Sequence, residues 1–260
     1  IIPQGAKNEA LQILCAVLLT DEEVRIKNIP DIHDVNRLIE ILGDFGVKIT
    51  KNAHGDYTFK ADDVNFDYIK SNEFKKDGAK LRGSIMLLGP MLARFGEAYM
   101  PTPGGDKIGR RRLDTHFQGF VELGAEFSYD EDEFYYSLKA KELHGKFILL
   151  EEASVTGTAN VVMAAVLAKG KTRIYNAACE PYLQQLCKML NRMGAQISGI
   201  GSNLLTIEGV SHLRGTEHTM LPDMVEIGSW HGLAAMTSSN ITIKNVNWKH
   251  LGVIHDTCTR

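Results

Sequence analysis

Long hydrophobic runs are missing from this sequence. The two longest, Ala10 to Leu19 and Ile85 to Leu92, fall short of the roughly 20 apolar residues that span a bilayer. No signal peptide is visible either, so no membrane partner is expected. Cysteine is scarce, and Cys15, Cys179, Cys187 and Cys258 form neither a CxxC pair nor a disulfide framework. That pattern argues against a structural metal and against an extracellular, disulfide-stapled scaffold. Cys15, set among Leu and Val, reads as a packed thiol. An excess of one charge is lacking too: 29 Lys and Arg against 32 Asp and Glu leave a net charge of −3. No global field draws nucleic acid or an anionic surface. The expectation is a cytoplasmic protein without metal or cofactor.

What is present begins with a core. The chain has 260 residues, 44% of them hydrophobic, enough for a substantial interior and more than one domain. The most informative segment is Pro101-Thr-Pro-Gly-Gly-Asp-Lys-Ile-Gly-Arg-Arg-Arg-Leu-Asp-Thr-His116. It sets a flexible glycine pair beside one acid, Asp106, and four cations, Lys107 and Arg110 to Arg112. Arginines clamp phosphate or carboxylate in bidentate fashion. A solvated basic loop is the plain alternative, since most charge runs are that.

The position of this loop in an internal repeat favours a functional role. Leu18 to Asn28 matches Val166 to Asn176 at an offset of 148, and the phrase recurs as Leu92 to Met100 at an offset of 74. Each phrase ends an apolar helix, turns, and enters a strand of alternating character. A second, amphipathic helix then closes on a glycine before another strand, at residues 45–49, 123–127 and 193–197. Val35, Leu38, Leu42 and Phe45 keep helical spacing, as do Leu183, Leu186, Leu190 and Met193. The units read as helix, strand, helix, strand, and such repeats bury a shared core that none could bury alone. Tyr57 to Lys60 and Phe147 to Leu150 read as additional strands. A fourth copy is expected to start near Asp223 and to give a strand at Ile241 to Val246. The chain opens on Ile-Ile-Pro without an initiator Met and stops at Arg260 before that copy's capping glycine. It is therefore expected to be a fragment.

The register exposes two departures. Gly46 to Gly124 is 78 residues against the offset of 74, so the middle unit carries four extra residues, within the Gly-Gly-Asp loop. The apolar slot of Leu38 and Leu186 is taken by His116, either a satisfied core histidine or part of a site. The same register aligns the starts of the first helices: Lys7-Asn8, Leu81-Arg-Gly-Ser84, and Ser154-Val-Thr-Gly-Thr158. Asn8, Ser154 and Thr156 could be plain N-caps. Lys7 and Arg82 oppose the helix dipole unless an anion lies between, which points to a phosphate or carboxylate ligand.

Several phrases together resemble the enolpyruvyl transferases that act on UDP-N-acetylglucosamine. They are Gly5-Ala-Lys-Asn8, Leu81-Arg-Gly-Ser-Ile85, Leu88 to Gly96, Pro103 to Gly109, Arg111 to His116, and Leu221-Pro-Asp223. Ala153 to Asn160 and Asn176 to Pro181 are similar to Bacteroidetes members of the family. The resemblance implies an α/β fold of inside-out α/β barrels of the EPSP synthase type. It implies one complete domain over residues 7–221, with the catalytic loop at about 101–113, and pieces of a second domain at 1–6 and 222–260. The implied substrates are phosphoenolpyruvate and UDP-N-acetylglucosamine. Lys7 and Asn8 would hold phosphoenolpyruvate and Arg82 would help order the substrates. Arg111, Arg112, Leu113, Asp114 and Thr115, with Ser154 and Val155, would cradle the uridine and diphosphate, and His116 and Thr156 are further substrate-binding residues. A Gly104–Gly105 hinge would let the loop close over both ligands.

Asp106 stands where most of that family has a cysteine acting as proton donor, and its ordinary pKa near 3.9 would leave it ionised unless substrate charge raises it. Without a thiolate, resistance to the epoxide fosfomycin is implied. Glu152 stands where a lysine is expected near the diphosphate, so it receives no role, and Thr156 replaces a glycine. The family's general base and several arginines fall beyond Arg260, so this stretch is expected to be inactive alone. Two other readings stay open: an enzyme acting on shikimate 3-phosphate, and a non-catalytic nucleotide-sugar-binding paralogue. A nucleic-acid module on Arg110 to Arg112 is disfavoured by the net charge and the lack of interleaved aromatics.

Overall fold

The computed structural model describes residues 1–102, 104, 112–252, 254 and 256–257. Its first unit comprises α1 (Lys7–Ala16), β1 (Glu23–Lys27), α2 (His33–Asp44), β2 (Lys48–Ala53) and β3 (Asp56–Lys60). A connecting α3 (Asn72–Lys80) leads to a 3-10 turn, Arg82–Leu87, that continues as α4 (Leu88–Phe95). The second unit goes on through β4 (Glu97–Pro101), α5 (Asp114–Glu122), β5 (Glu126–Asp130) and β6 (Tyr135–Lys139). After β7 (Phe147–Leu149) the third unit runs α6 (Val155–Ala165), β8 (Lys171–Tyr175), α7 (Pro181–Arg192), β9 (Gln196–Ser198) and β10 (Leu204–Glu208). Then follow β11 (Thr216–Thr219) and α8 (Met224–Thr237).

Each unit is thus helix, strand, helix and hairpin, one strand richer than the repeat pattern suggests. The physical reason is backbone satisfaction, since a lone short strand leaves half its N–H and C=O groups unpaired. The capping glycines do recur: Gly46, Gly124 and Gly194 hold φ of 96°, 99° and 108°, a region that favours glycine.

Three separate sheets result, with strand orders β11-β1-β3-β2, β4-β6-β5 and β7-β8-β10-β9. The outer two each gain a parallel strand from a neighbouring unit: β7 joins β8 with Ile148 opposite Ile174, and β11 joins β1 with Ile26 opposite His218. Asn28 and Asn176, 148 apart, both take φ of 61° where the parallel strand ends. Their side chains donate to the carbonyls of Met220 and Leu150, at 3.1 and 3.0 Å. The middle sheet has no such parallel strand among the described residues. Its β4 is met instead by the 3-10 turn Tyr68–Lys70. The sheets therefore do not join into one closed barrel of strands.

The sheets lie outside and the first helices inside. In α6 every residue from Gly157 to Ala165 is buried, and a helix without a polar face belongs in an interior. Val161, Val162, Met163 and Val166 are fully enclosed, each stabilising by about 1.5–3 kcal/mol relative to exposure. Cys15 is enclosed as well, and burial pushes its thiol pKa up. Neighbouring helices reach α6 through glycines: a Cβ on Gly89 would lie 2.6 Å from Asn160 Oδ1, and one on Gly119 would overlap Val161.

The fourth copy begins as expected, with Asp223 capping α8 by accepting Val225 N–H at 2.7 Å and Glu226 N–H at 3.4 Å. The expected strand at Ile241 to Val246 is not formed. Among the described residues its backbone bonds to the first residue, Thr242 C=O accepting from the Ile1 amino group and Lys244 N–H donating to Ile1 C=O. With no second strand to build a ladder, it stays extended and irregular.

Two stability effects follow. Gly89→Ala should lower unfolding free energy by about 1–3 kcal/mol, because the added methyl has only backbone and the Asn160 amide to displace. Gln12 is 0% exposed and neither polar atom of its amide finds a partner among the described residues. Gln12→Met should therefore be neutral or stabilising by about 1 kcal/mol. Urea denaturation of both variants beside the wild type checks the pair.

Candidate functional site

The candidate residues gather at helix starts. α1 opens without a side-chain cap of its own, and the Lys7 N–H donates to Asp223 Oδ2 at 3.2 Å. One carboxylate, Asp223, therefore serves the starts of both α1 and α8. Two crossing segments hold it there: Ala6 N–H donates to Leu221 C=O, and Asp223 N–H to Gln4 C=O, both at 2.8 Å. The Lys7 ammonium pairs with Asp34 at the start of α2, and both side chains are exposed. Asn8 is inside α1 rather than its cap.

The second and third helix starts meet around His116. Arg82 opens the 3-10 turn before α4, while Ser154 caps α6 by accepting Gly157 N–H at 3.1 Å. Val155 and Thr156 are the first residues of α6, so of the three candidate caps only Ser154 acts as one. Thr115 sits at the start of α5 against Gly157, whose missing Cβ would lie 2.8 Å from the Thr115 methyl. Leu113 immediately precedes α5, packed against the core. Arg112 bonds Asp114 at 2.7 Å and Glu151 at 3.0 Å, all three exposed. Exposed pairs of this kind contribute little to stability. Glu152 Oε1 lies 3.4 Å from the Thr115 hydroxyl. One turn into α1, Leu11 fills the space beside Gly83, which makes the start of α1 a neighbour of Arg82.

His116 is 2% exposed, and its proton position is dictated by Asn160. Asn160 Oδ1 accepts Gly89 N–H at 2.8 Å, so its Nδ2 is the donor to Ile85 C=O at 2.8 Å and to His116 Nδ1 at 2.9 Å. The imidazole proton then sits on Nε2, 3.3 Å from the Thr156 hydroxyl. Burial, assisted by the Arg82 cation, pushes the His116 pKa down to about 4. Both ring nitrogens face protein partners, so His116 joins α4, α5 and α6 beneath the helix starts. Gly104 is not free to swing: its N–H donates to Ala79 C=O at 2.7 Å, and a Cβ there would overlap that oxygen. Asp106, Gly105, Lys107 and Arg111 lie outside the described residues.

Sequence reasoning missed Asn160 and Asp34. Asn160 had a signal, being the one amide within the apolar helix at Val155 to Ala165. Asp34 had none beyond its place at a helix start. Among the described residues no group of three or more His, Cys, Asp and Glu side chains could hold a metal ion. No helix of the described residues is long and apolar enough to cross a membrane.

The architecture defines an α/β class in which repeated units turn their helices inward and gather several helix starts at one end. A family model described as EPSP synthase (3-phosphoshikimate 1-carboxyvinyltransferase) matches residues 1–258. The chain belongs to this family. It is 65% identical over 260 residues to a UDP-N-acetylglucosamine 1-carboxyvinyltransferase of Bacteroides fragilis, covering 100% of this chain and 60% of that protein. A protein of the same name from Porphyromonas gingivalis is 61% identical over 254 residues, covering 98% and 58%. The chain thus spans about 60% of the length of the curated relatives it matches. Among solved structures, the enolpyruvyl transferase NikO from Streptomyces tendae superposes with a TM-score of 0.71 at 19% identity, covering 89% of this chain and 53% of that one. EPSP synthase from Acinetobacter baumannii gives 0.68 at 16%, covering 91% and 52%. These two likenesses speak for the fold alone.

A pH effect follows from His116. The unfolded imidazole titrates near 6.5 and the folded one near 4, so the folded state binds fewer protons between those values. Stability should fall as pH drops through that window, by roughly 3 kcal/mol in all, and be level above it with respect to this group. Urea midpoints at pH 7 and pH 5, for wild type and His116→Gln, measure it; the variant should lose the part of the slope that His116 causes. Nitrogen NMR at pH 6 should find the proton on Nε2.

Proposed function

We propose that the protein carrying this chain transfers the enolpyruvyl group of phosphoenolpyruvate to the 3-hydroxyl of UDP-N-acetylglucosamine and releases phosphate. This is the first committed step of peptidoglycan synthesis, placed in the cytoplasm. The observation that carries the reading is the 65% identity to a UDP-N-acetylglucosamine 1-carboxyvinyltransferase along the whole chain. The gathering of Lys7, Asn8, Arg82, Arg112 and Ser154 at adjoining helix starts supports it, because both substrates are polyanions.

In this reading the complete domain is residues 7–221, and residues 1–6 and 222–260 belong to a second. The packing of α8 supports that division: only Ile227 is buried, while Val225 and Met236 are 64% and 82% exposed. Lys7 and Asn8 hold phosphoenolpyruvate, and Arg82 helps order the substrates. Arg111 to Thr115, Ser154 and Val155 hold the uridine and diphosphate, with His116 and Thr156 as their support. Asp106 gives its proton to C3 of the enol, leaving an oxocarbenium-like centre at C2, which the sugar hydroxyl attacks. Loss of phosphate and of a C3 proton restores the double bond on the product. The base that accepts the hydroxyl proton belongs to the second domain. Ordering both anions in one closed cleft contributes through proximity and water exclusion. Asp106 offers no thiolate, so fosfomycin does not alkylate it.

The test is phosphate release by this chain completed to the relatives' full length with the Bacteroides fragilis sequence, beside Asp106→Asn. Turnover with UDP-N-acetylglucosamine, unaffected by fosfomycin and reduced at least about 100-fold in the variant, is expected for a lost general acid. Turnover with shikimate 3-phosphate instead would transfer the reading to the other branch of the family. Binding of the nucleotide sugar without any phosphate release would make the protein a non-catalytic paralogue.

A further inference from the structure

A buried ionisable triad lies beneath the start of α1 and takes no part in the roles above. Glu9, in the first turn beside Lys7 and Asn8, is 0% exposed, and His218 on β11 is 3% exposed. His218 Nε2 is 2.8 Å from Glu9 Oε1, and the Leu221 N–H donates to Glu9 Oε2 at 3.1 Å. On the other side of the ring, Arg192 of α7 approaches His218 Nδ1 to 2.5 Å.

The donor and acceptor inventory admits one consistent arrangement. A guanidinium only donates, so His218 Nδ1 is an acceptor and the ring proton is on Nε2. That proton goes to Glu9 Oε1. The backbone N–H of Leu221 claims Oε2, so both carboxylate oxygens are acceptors and Glu9 is needed in its ionised form. A glutamine cannot substitute: whichever way its amide is turned, its NH2 meets either the Leu221 N–H or the His218 N–H. β11, through His218, and the crossing segment at Leu221 thus converge on one side chain of the first helical turn, while Arg192 of α7 braces the far side of the histidine ring.

We infer that Glu9 is a positioning residue: its carboxylate, held by His218 and the Leu221 N–H, fixes the rotation and depth of the first turn of α1. Lys7 and Asn8 are thereby presented at the helix start in a single orientation. This inference rests on the assignment of Lys7 and Asn8 to substrate. Glu9 is enclosed by protein on all sides, and a polar side chain enclosed to this degree is spent on geometry rather than on exchange with solvent.

The test uses the completed full-length protein with Glu9→Gln, His218→Leu and His218→Gln, all assayed well below their melting temperatures. Glutamine at 218 can accept from Arg192 through its oxygen and donate to Glu9 through its nitrogen, so it is the conservative variant. Expected are a fall of about tenfold or more in kcat/KM for phosphoenolpyruvate with Glu9→Gln and His218→Leu, and a value within about threefold of wild type with His218→Gln. Hydrogen exchange of the amides at residues 7–10 should quicken in the first two variants only. Unchanged kcat/KM in Glu9→Gln, with only a lowered melting temperature, would overturn the inference and leave a stability role. If the wild type itself shows no turnover, the transferase reading fails, and the exchange rates alone decide whether Glu9 orders the helix start.

Discussion

Helices without a polar face cannot lie on a surface, and most of this architecture descends from that constraint. α6 is apolar or small at nearly every position, so the sheets have to be arranged around it. Once the helices are inside, their ends become the places where backbone N–H groups gather, and the chain supplies polar partners there: Ser154 for α6, and Asp223 from far along the sequence for α1. Close approach at Gly89 and Gly119 allows the interior helices to pack with side chains as small as alanine. Interior packing and the clustering of helix starts are one arrangement seen from two sides.

Polar groups inside such a core need complete sets of partners, and two of them are completed in the same manner. Asn160 and Glu9 each stand on an interior helix and each bonds a buried histidine of another element, whose proton position a donor fixes: Asn160 itself for His116, and Arg192 for His218. The donors at the far side are fixed by the backbone at Gly89 and Leu221. A half-satisfied version of either network would cost more than an apolar residue of equal size, which explains why these positions hold chemistry so definite beneath a surface where charges pair loosely.

Much of this was legible in the sequence. The 74- and 148-residue offsets located the three units, and the left-handed glycines and the Asn28 and Asn176 pair stand at equivalent places. The strands β3 and β7 were singled out as additional strands, but β6 and β10 were not, although Tyr135 to Lys139 and Leu204 to Glu208 have strand composition, because the repeat register assigned a single strand after the second helix of each unit. Ile241 to Val246 shows the converse: good strand composition without a ladder to join. The helix starts of the candidate site were found through repeat register. The partners that restrain them, Asp34, Asn160 and the Glu9 triad, were not, since pairings separated by up to 209 positions leave no local periodicity. Asp106 and Arg111 were singled out by sequence alone and lie outside the described residues.

The parallel pairing of β11 with β1 has a consequence for how the chain is made. Val24 meets Thr216, so the first sheet stays incomplete until nearly the whole of the three units has left the ribosome. Until then β1 presents a bare edge. The first sheet is therefore completed by its last strand rather than its first. The emerging chain passes through a long interval with an open sheet edge, the period in which misassociation competes and chaperones find something to hold.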